Sequence, residues 1–487
     1  MIKILLSCSF ASYRVTASDQ NDSMFYYNQL IIMPQRERQR IQELQKAQEK
    51  KSFLMFILYA TVGLLIRIIL ESRVQFLKHY PYFNTPLIDL RQLFEAFSNY
   101  EVSKGQTYFL DHNAINQPLA IIRLYHLIYT SLGGIIAIKV FLFACDLATV
   151  LVQCKIISSI YTKEKDQKIS WVMQLVLIFN PLGLISPAVH NLGILNHLLI
   201  SVFILMVIRI GFSIATDIIC GLCLYLDPML IYVVLPSRMI YALLEKGNFL
   251  QSLTIWFGTF QVILFTLSGD PREDLRNYFN IISVKDHSEN IGLFWYLFVE
   301  LFKQHVAFYQ VLYLLFFVVL SVQIVLNLNF FIQTLNIIFP QNSKKKQIDQ
   351  QQKDAKRAAT HKRVVIWSLS LALYLRVILS HYPSLFELNL QLLAVLMDYR
   401  IFRKYVEGQI ILIFGLIYCL QNMLFMWITW IDRHSGNANF FYFQTIVYQL
   451  FHSVMFVQLY GSVDKKRKKL WEKNGKFKDA YIFSLVS

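Results

Sequence analysis

NIGLFWYLFVELF, residues 290–302, decides how this chain is read, because it sets Asn290, Trp295, Tyr296 and Glu300 inside an extremely hydrophobic sequence. Helical spacing puts Phe294, Leu297, Phe298 and Leu301 on one apolar stripe and leaves Glu300 off it. Asn290 sits at the N-terminal end, placed to cap the helix or to meet a headgroup. Two readings stand side by side. In one, the helix lies in the membrane interface, with Trp295 and Tyr296 as belt aromatics and Glu300 solvated. In the other, the carboxylate and the amide face a polar ligand.

Around this stretch the composition leaves little doubt about class. Of 487 residues, 55% are hydrophobic and 15% aromatic, more apolar surface than one soluble core buries. Runs of mostly apolar residues long enough to cross a hydrocarbon core of about 30 Å recur from Phe53 to Tyr460. Lipid cannot satisfy backbone polar groups, so the expectation is an all-α polytopic membrane protein. The formal charge is +16, but its Lys and Arg residues sit in short loops and tails, as the positive-inside rule expects and nucleic-acid binding does not. Cys220 and Cys223 form a CxxC with no second pair and no histidine at ligand spacing, so they read as small buried side chains and no metal is expected.

The basic segments set an expected topology. Lys163, Lys165 and Lys168, the run Lys344–Lys346 continuing to Arg363, the group Arg400, Arg403 and Lys404, and the tail Lys465–Lys469 belong in the cytosol. Spans then fall near 53–70, 135–160, 171–187, 194–211, 213–226, 229–244, 249–268, 306–338, 364–380, 385–400, 407–430 and 438–460. That makes about twelve, with both termini cytosolic. The apolar piece 118–132 is read as a half-helix or surface helix. Residues 1–51 form a disordered and basic N-terminus, 52–462 the membrane domain, and 463–487 a basic cytosolic tail; Met33 is an alternative start, and 341–363 is read as a disordered cytosolic linker. Segments 71–117, 269–305, 381–384 and 431–439 share the luminal face.

Soluble-enzyme signatures are missing: the chain has no GxGxxG, P-loop, GxSxG or HExxH. Glu71, Asp89, Glu95, Glu101 and Asp111 populate the luminal loop without forming a DxD, which removes the main support for metal-assisted sugar transfer. Charges within spans, among them Arg67, Lys139, Asp146, Asp227 and Arg376, each require a partner. Asp146 is expected to pair with Lys139, two turns away, through an intervening helix. FNP at 179–181 reads as a helix end, with Asn180 and Asn196 making interhelical hydrogen bonds. A second luminal cluster, DRHSGNANFFY at 432–442, supplies Asn437, Asn439, Phe440 and Phe441. Alone it is an interfacial turn. Set against Asn290 and Glu300 it makes a polar patch above an aromatic groove, suited to an amphiphile with hydroxyl, amine or phosphate groups.

NIGLFWYLFVELF and SGNANFFY, with FNP, Asn196 and the CDLAT stretch around Asp146, resemble the phosphatidylinositol-glycan class U family, a multispanning subunit of the GPI transamidase of the endoplasmic reticulum. The resemblance extends in order over roughly residues 53–460. It implies a fold similar to the multispanning lipid-linked (GT-C-like) glycosyltransferases, no cofactor, and partnership with the other transamidase subunits, including a cysteine-protease-like catalytic one. Active mannosyltransferases of that fold carry an acid pair in the first luminal loop, whereas this chain reads YFNTPLIDL at 82–90. The implied role is therefore non-catalytic, helping to recognise the GPI lipid or the attachment signal. The GPI-contacting residues implied are Asn290, Trp295, Tyr296, Glu300, Asn437, Asn439, Phe440 and Phe441. A dolichol-phosphate-mannose-dependent mannosyltransferase and a lipid transporter are the competing readings.

The charge pattern predicts that a C-terminal tag is digested when protease is added to sealed microsomes. A protected tag contradicts the topology.

Overall fold

Lipid offers a peptide group no hydrogen-bond partner, and the backbone answers by satisfying itself. In the computed structural model every regular element among the described residues is helical. Those residues are 57, 59–74, 77, 80, 83, 85, 88–103, 117–162, 164–245, 247–267, 270–282, 288–338, 347–380 and 382–473. The expected N-terminal segment 1–51, Asp111 and the last residues of the tail lie outside them.

The helices run, in order, α1 (59–73), α2 (Leu90–Val102), α3 (Leu119–Leu132), α4 (Ile135–Ile160), α5 (Glu164–Ile178) and α6 (Pro181–Ile185). Next come α7 (Ile194–Ile210), α8 (Ile214–Leu226), α9 (Ile231–Glu245), α10 (Phe249–Thr266), α11 (Pro271–Ile282) and α12 (Phe294–Glu300). The last are α13 (Lys303–Ile338), α14 (Gln347–Ile378), α15 (Leu388–Met397), α16 (Tyr399–Tyr405), α17 (Gln409–Trp427) and α18 (Ala438–Lys473). The chain divides into two units, residues 1–62 with 335–364, and residues 63–334 with 365–487.

Seven segments among the described residues are long and apolar enough to cross a membrane: Ile135–Ile160, Gln167–Ile185, Pro228–Glu245, Phe249–Thr266, Gln304–Thr334, Gln409–Asp432 and Ala438–Glu472. Leu119–Leu132, Ile194–Ile210, Ile214–Leu226 and Leu385–Met397 are apolar but shorter. Three of the expected spans, 194–211, 213–226 and 385–400, fall on these short helices, and 118–132 falls on the fourth. The expected spans 53–70 and 364–380 fall on α1 and α14, outside the seven. Length and apolarity alone thus establish fewer spans than the basic segments suggested. Residues 347–363, read as a disordered linker, are helical within α14; their Gln, Lys, Arg and Ala residues are strong helix formers even without an apolar face.

Inside the second unit, α4 packs against α7, α8 against α10, and α17 against α18. Asp146 of α4 is bound by Arg67 of α1 at 2.6 Å, both side chains buried, while Lys139 of α4 reaches Glu71 of α1 at 2.9 Å. This corrects the expected Asp146–Lys139 pairing. Residues seven apart on one helix meet residues four apart on its neighbour, so two parallel pairs form between the helices. The FNP motif ends α5 as read: Pro181 opens α6, and the Asn180 side chain accepts from Leu182 N while donating to Asn389 at 2.5 Å. Asp274 of α11, almost fully buried, accepts from Leu119 N at 2.8 Å and from the Tyr225 hydroxyl. Burial pushes its carboxyl above the ordinary range, against the pull of those two bonds. It pins α11 to the N-terminus of α3 and the end of α8.

Removing one partner of a buried ion pair leaves the other uncompensated. Arg67→Met is expected to cost about 3–5 kcal/mol, and adding Asp146→Leu to recover most of it. Thermal unfolding of the chain in detergent measures both; a double variant no more stable than Arg67→Met contradicts the pairing.

Candidate functional site

The stretch around residue 290 folds into a turn followed by a short helix. Asn290 is buried, and its side chain accepts from Gly292 N at 2.8 Å and donates to Ser288 O at 3.1 Å. It closes the turn and does not cap α12, whose first helical residue is Phe294. A Cβ on Gly292 would stand 2.7 Å from Asn290 Oδ1 and 3.0 Å from the Pro383 ring, so only glycine lets the turn lie against the 382–387 connection. From there Trp295 turns inward and is buried against the protein. Phe298, one turn on along α12, is also buried and packs with Tyr382, Phe294, Leu301 and Val306. Leu297, expected on the apolar stripe with it, is exposed.

The second stretch comes to meet the first. Helix α17 ends in a π turn, Ile428–Asp432, a feature frequent at functional sites. A loop closed by Ser435 N to Thr429 O at 2.9 Å, with Gly436 at positive φ, then starts α18 at Ala438. This carries Phe441 into the same buried cluster as Ile291, Trp295, Leu385, Met423 and Trp427. Tyr296 stacks on Tyr442 with ring centroids 4.6 Å apart. Its hydroxyl donates to Asn439 and also meets Glu300. The Tyr442 hydroxyl donates to Leu293 O at 3.0 Å, and Gln449 donates to Ile291 O at 3.3 Å.

The expected site residues therefore converge but divide by exposure. Asn290, Trp295 and Phe441 form the buried floor. Glu300, Asn437, Asn439 and Phe440 are exposed, and Tyr296 is half-buried between the two groups. A hydroxylated headgroup meeting this surface would find carboxylate, amide and phenol oxygens beside aromatic faces.

A second polar feature lies beyond the same connection. A cavity of about 90 Å³ is bordered by Asp227, Arg376, Glu387, Asn191, Asn196 and His197. Arg376, at the end of α14, donates to Asp227 and, at 3.3 Å, to Glu387. Asn196 donates to Asp227 at 3.4 Å, an interhelical bond of the expected kind. Asp227 and Arg376 stand out in the sequence as charges within apolar runs. Glu387 does not, although a carboxylate directly ahead of another apolar helix, in SLFELNLQLL, carries the same signal. Among the described residues no group of three or more His, Cys, Asp or Glu is arranged to hold a metal ion.

The family model described as GPI transamidase subunit PIG-U matches residues 57–448, a range that includes both convergent stretches and the cavity. Among curated proteins none matches the chain.

The division into floor and rim predicts opposite responses to truncation. Trp295→Ala should cost about 3–5 kcal/mol, and Phe440→Ala less than about 0.5 kcal/mol, in thermal unfolding of the purified chain. Equal losses at the two positions contradict it.

Proposed function

The chain belongs to the PIG-U family of GPI transamidase subunits, and from that premise we propose that it is the subunit that recognises and positions the GPI lipid for transfer to a protein C-terminus. In this reading catalysis resides in another, cysteine-protease-like subunit. The chain sits in the endoplasmic reticulum membrane with both termini cytosolic and about twelve spans in a GT-C-like arrangement. The observation that carries the proposal is the meeting of two stretches nearly 150 residues apart, through Tyr296 on Asn439 and Tyr442, within the matched range.

The rim is suited to a glycolipid. Glu300 and the amides of Asn437 and Asn439 accept from sugar hydroxyls or a GPI amine, while Phe440 and the Tyr296–Tyr442 stack pack on a sugar face or on the first acyl carbons. Beneath it the floor residues Asn290, Trp295 and Phe441 fix the geometry without touching ligand. The attachment signal, the alternative client, would meet the same surface through its apolar side chains, for which the exposed Phe440 is the contact. Neither a dolichol-dependent mannosyltransferase nor a lipid transporter has support from the family assignment.

Glu300→Gln removes one charge from the rim and no atoms from the floor. GPI co-purifying with the complex should fall about tenfold, with the other subunits recovered in normal amounts. Undiminished GPI in a normally assembled variant complex contradicts the assignment of Glu300, and loss of partner subunits makes it an assembly residue instead.

A further inference from the structure

The cavity around Arg376 has an unusual balance of charge and hydrogen bonding. Two carboxylates, Asp227 and Glu387, share the one guanidinium of Arg376. Four polar atoms on its border find no hydrogen-bond partner within the protein: the acceptors Glu387 Oε2 and Asn196 Oδ1, and the donors Arg376 Nε and Asn191 Nδ2. Arg376 and Asn191 are only 6% and 3% exposed, so bulk solvent does not satisfy them freely. Buried groups left in this state are costly, and a ligand that completes them gains what they lack.

The complement of this set is specific. It needs a positive group with several N–H donors, for Glu387 and Asn196, and an oxygen acceptor, for Arg376 and Asn191. The cavity, about 90 Å³, has room for a short polar chain. An aminoethyl phosphate ester presents nitrogen, two carbons and an ester oxygen in that order. A quaternary ammonium is bulkier and has no N–H to give.

The cavity also adjoins the candidate site. Tyr382, which borders it, packs on Phe298 of α12, and Leu385 of the same connection lies in the Trp295 cluster. The 382–387 connection is thus a common wall between the aromatic floor and the cavity.

We propose that this cavity binds the primary ammonium of a lipid-borne ethanolamine phosphate, with Glu387 and Asn196 accepting its N–H bonds and Arg376 and Asn191 donating to the ester oxygens. The proposal rests on the GPI-recognition reading and names a headgroup subsite within it. A lysine side chain of a client peptide shares the ammonium but lacks the phosphate, and the test separates the two.

The experiment uses the purified complex in detergent and saturation-transfer NMR with three probes: O-phosphorylethanolamine, phosphocholine and N-acetyl-lysine methylamide. The expected result is saturable binding of O-phosphorylethanolamine, at least about tenfold tighter than phosphocholine or the lysine probe, and about tenfold weakened by Glu387→Gln. Equal binding of phosphocholine overturns the proposal, as does preference for the lysine probe, or no saturable binding, which would make the cavity a water site. The wild-type probe series decides the matter even if Glu387→Gln fails to assemble. Bound GPI is quantified in the same preparation. A wild-type complex that holds GPI yet ignores O-phosphorylethanolamine overturns the cavity assignment alone, whereas one that never holds GPI overturns the recognition reading and this subsite with it.

Discussion

Arg376 is the point on which the organisation of the second unit turns. A guanidinium buried among apolar helices must be matched by charge, and it is matched twice, by Asp227 at the end of α8 and by Glu387 just ahead of α15. Asp227 in addition accepts from Met229 N at 3.0 Å, closing the turn into α9, and from Asn196 of α7. One arginine therefore ties the end of α14 to α7, α8, α9 and α15. The connection it fixes, residues 382–387, presents Glu387 and Tyr382 to the cavity and Leu385 to the aromatic cluster. The floor beneath the candidate surface is consequently only as well placed as this clamp.

The same economy recurs elsewhere. Arg67 on Asp146 ties α1 to α4, and Asp217 of α8 accepts from Ser252 at 2.7 Å and from Trp256 Nε1 at 2.9 Å of α10. Where lipid supplies no hydrophobic preference for one helix neighbour over another, such pairs select the neighbour. The outer faces show the converse: Ile410, Ile411, Phe414, Ile417 and Tyr418 of α17 are exposed and apolar, as a lipid-facing surface requires.

Hydropathy made the helical membrane class legible, and the FNP motif made a helix end legible, because both depend on local chemistry alone. The convergence of residues 290–302 with 435–442 was also readable, through composition and resemblance together. What stayed hidden depends on partners distant in sequence. Periodicity assigns Trp295 a face of a helix but not what covers it, so an interfacial belt residue and a buried one look alike until Phe441 and Trp427 are placed beside it. Asp146 likewise had two basic candidates, Lys139 on its own helix and Arg67 on another, and spacing along one helix cannot choose between them. Glu387 escaped notice because its partner lies across a turn, eleven residues back in α14.

The central claim is that the exposed rim formed by Tyr296, Glu300, Asn437, Asn439 and Phe440 meets the GPI headgroup. Site-specific photo-crosslinking tests it most directly, with a photoreactive residue at Phe440 compared with one at Phe257, an exposed apolar position of α10. The account predicts that GPI is captured from Phe440 and that Phe257 captures bulk phospholipid only. Equal capture of GPI at both positions, or none at Phe440 in an assembled complex, contradicts it.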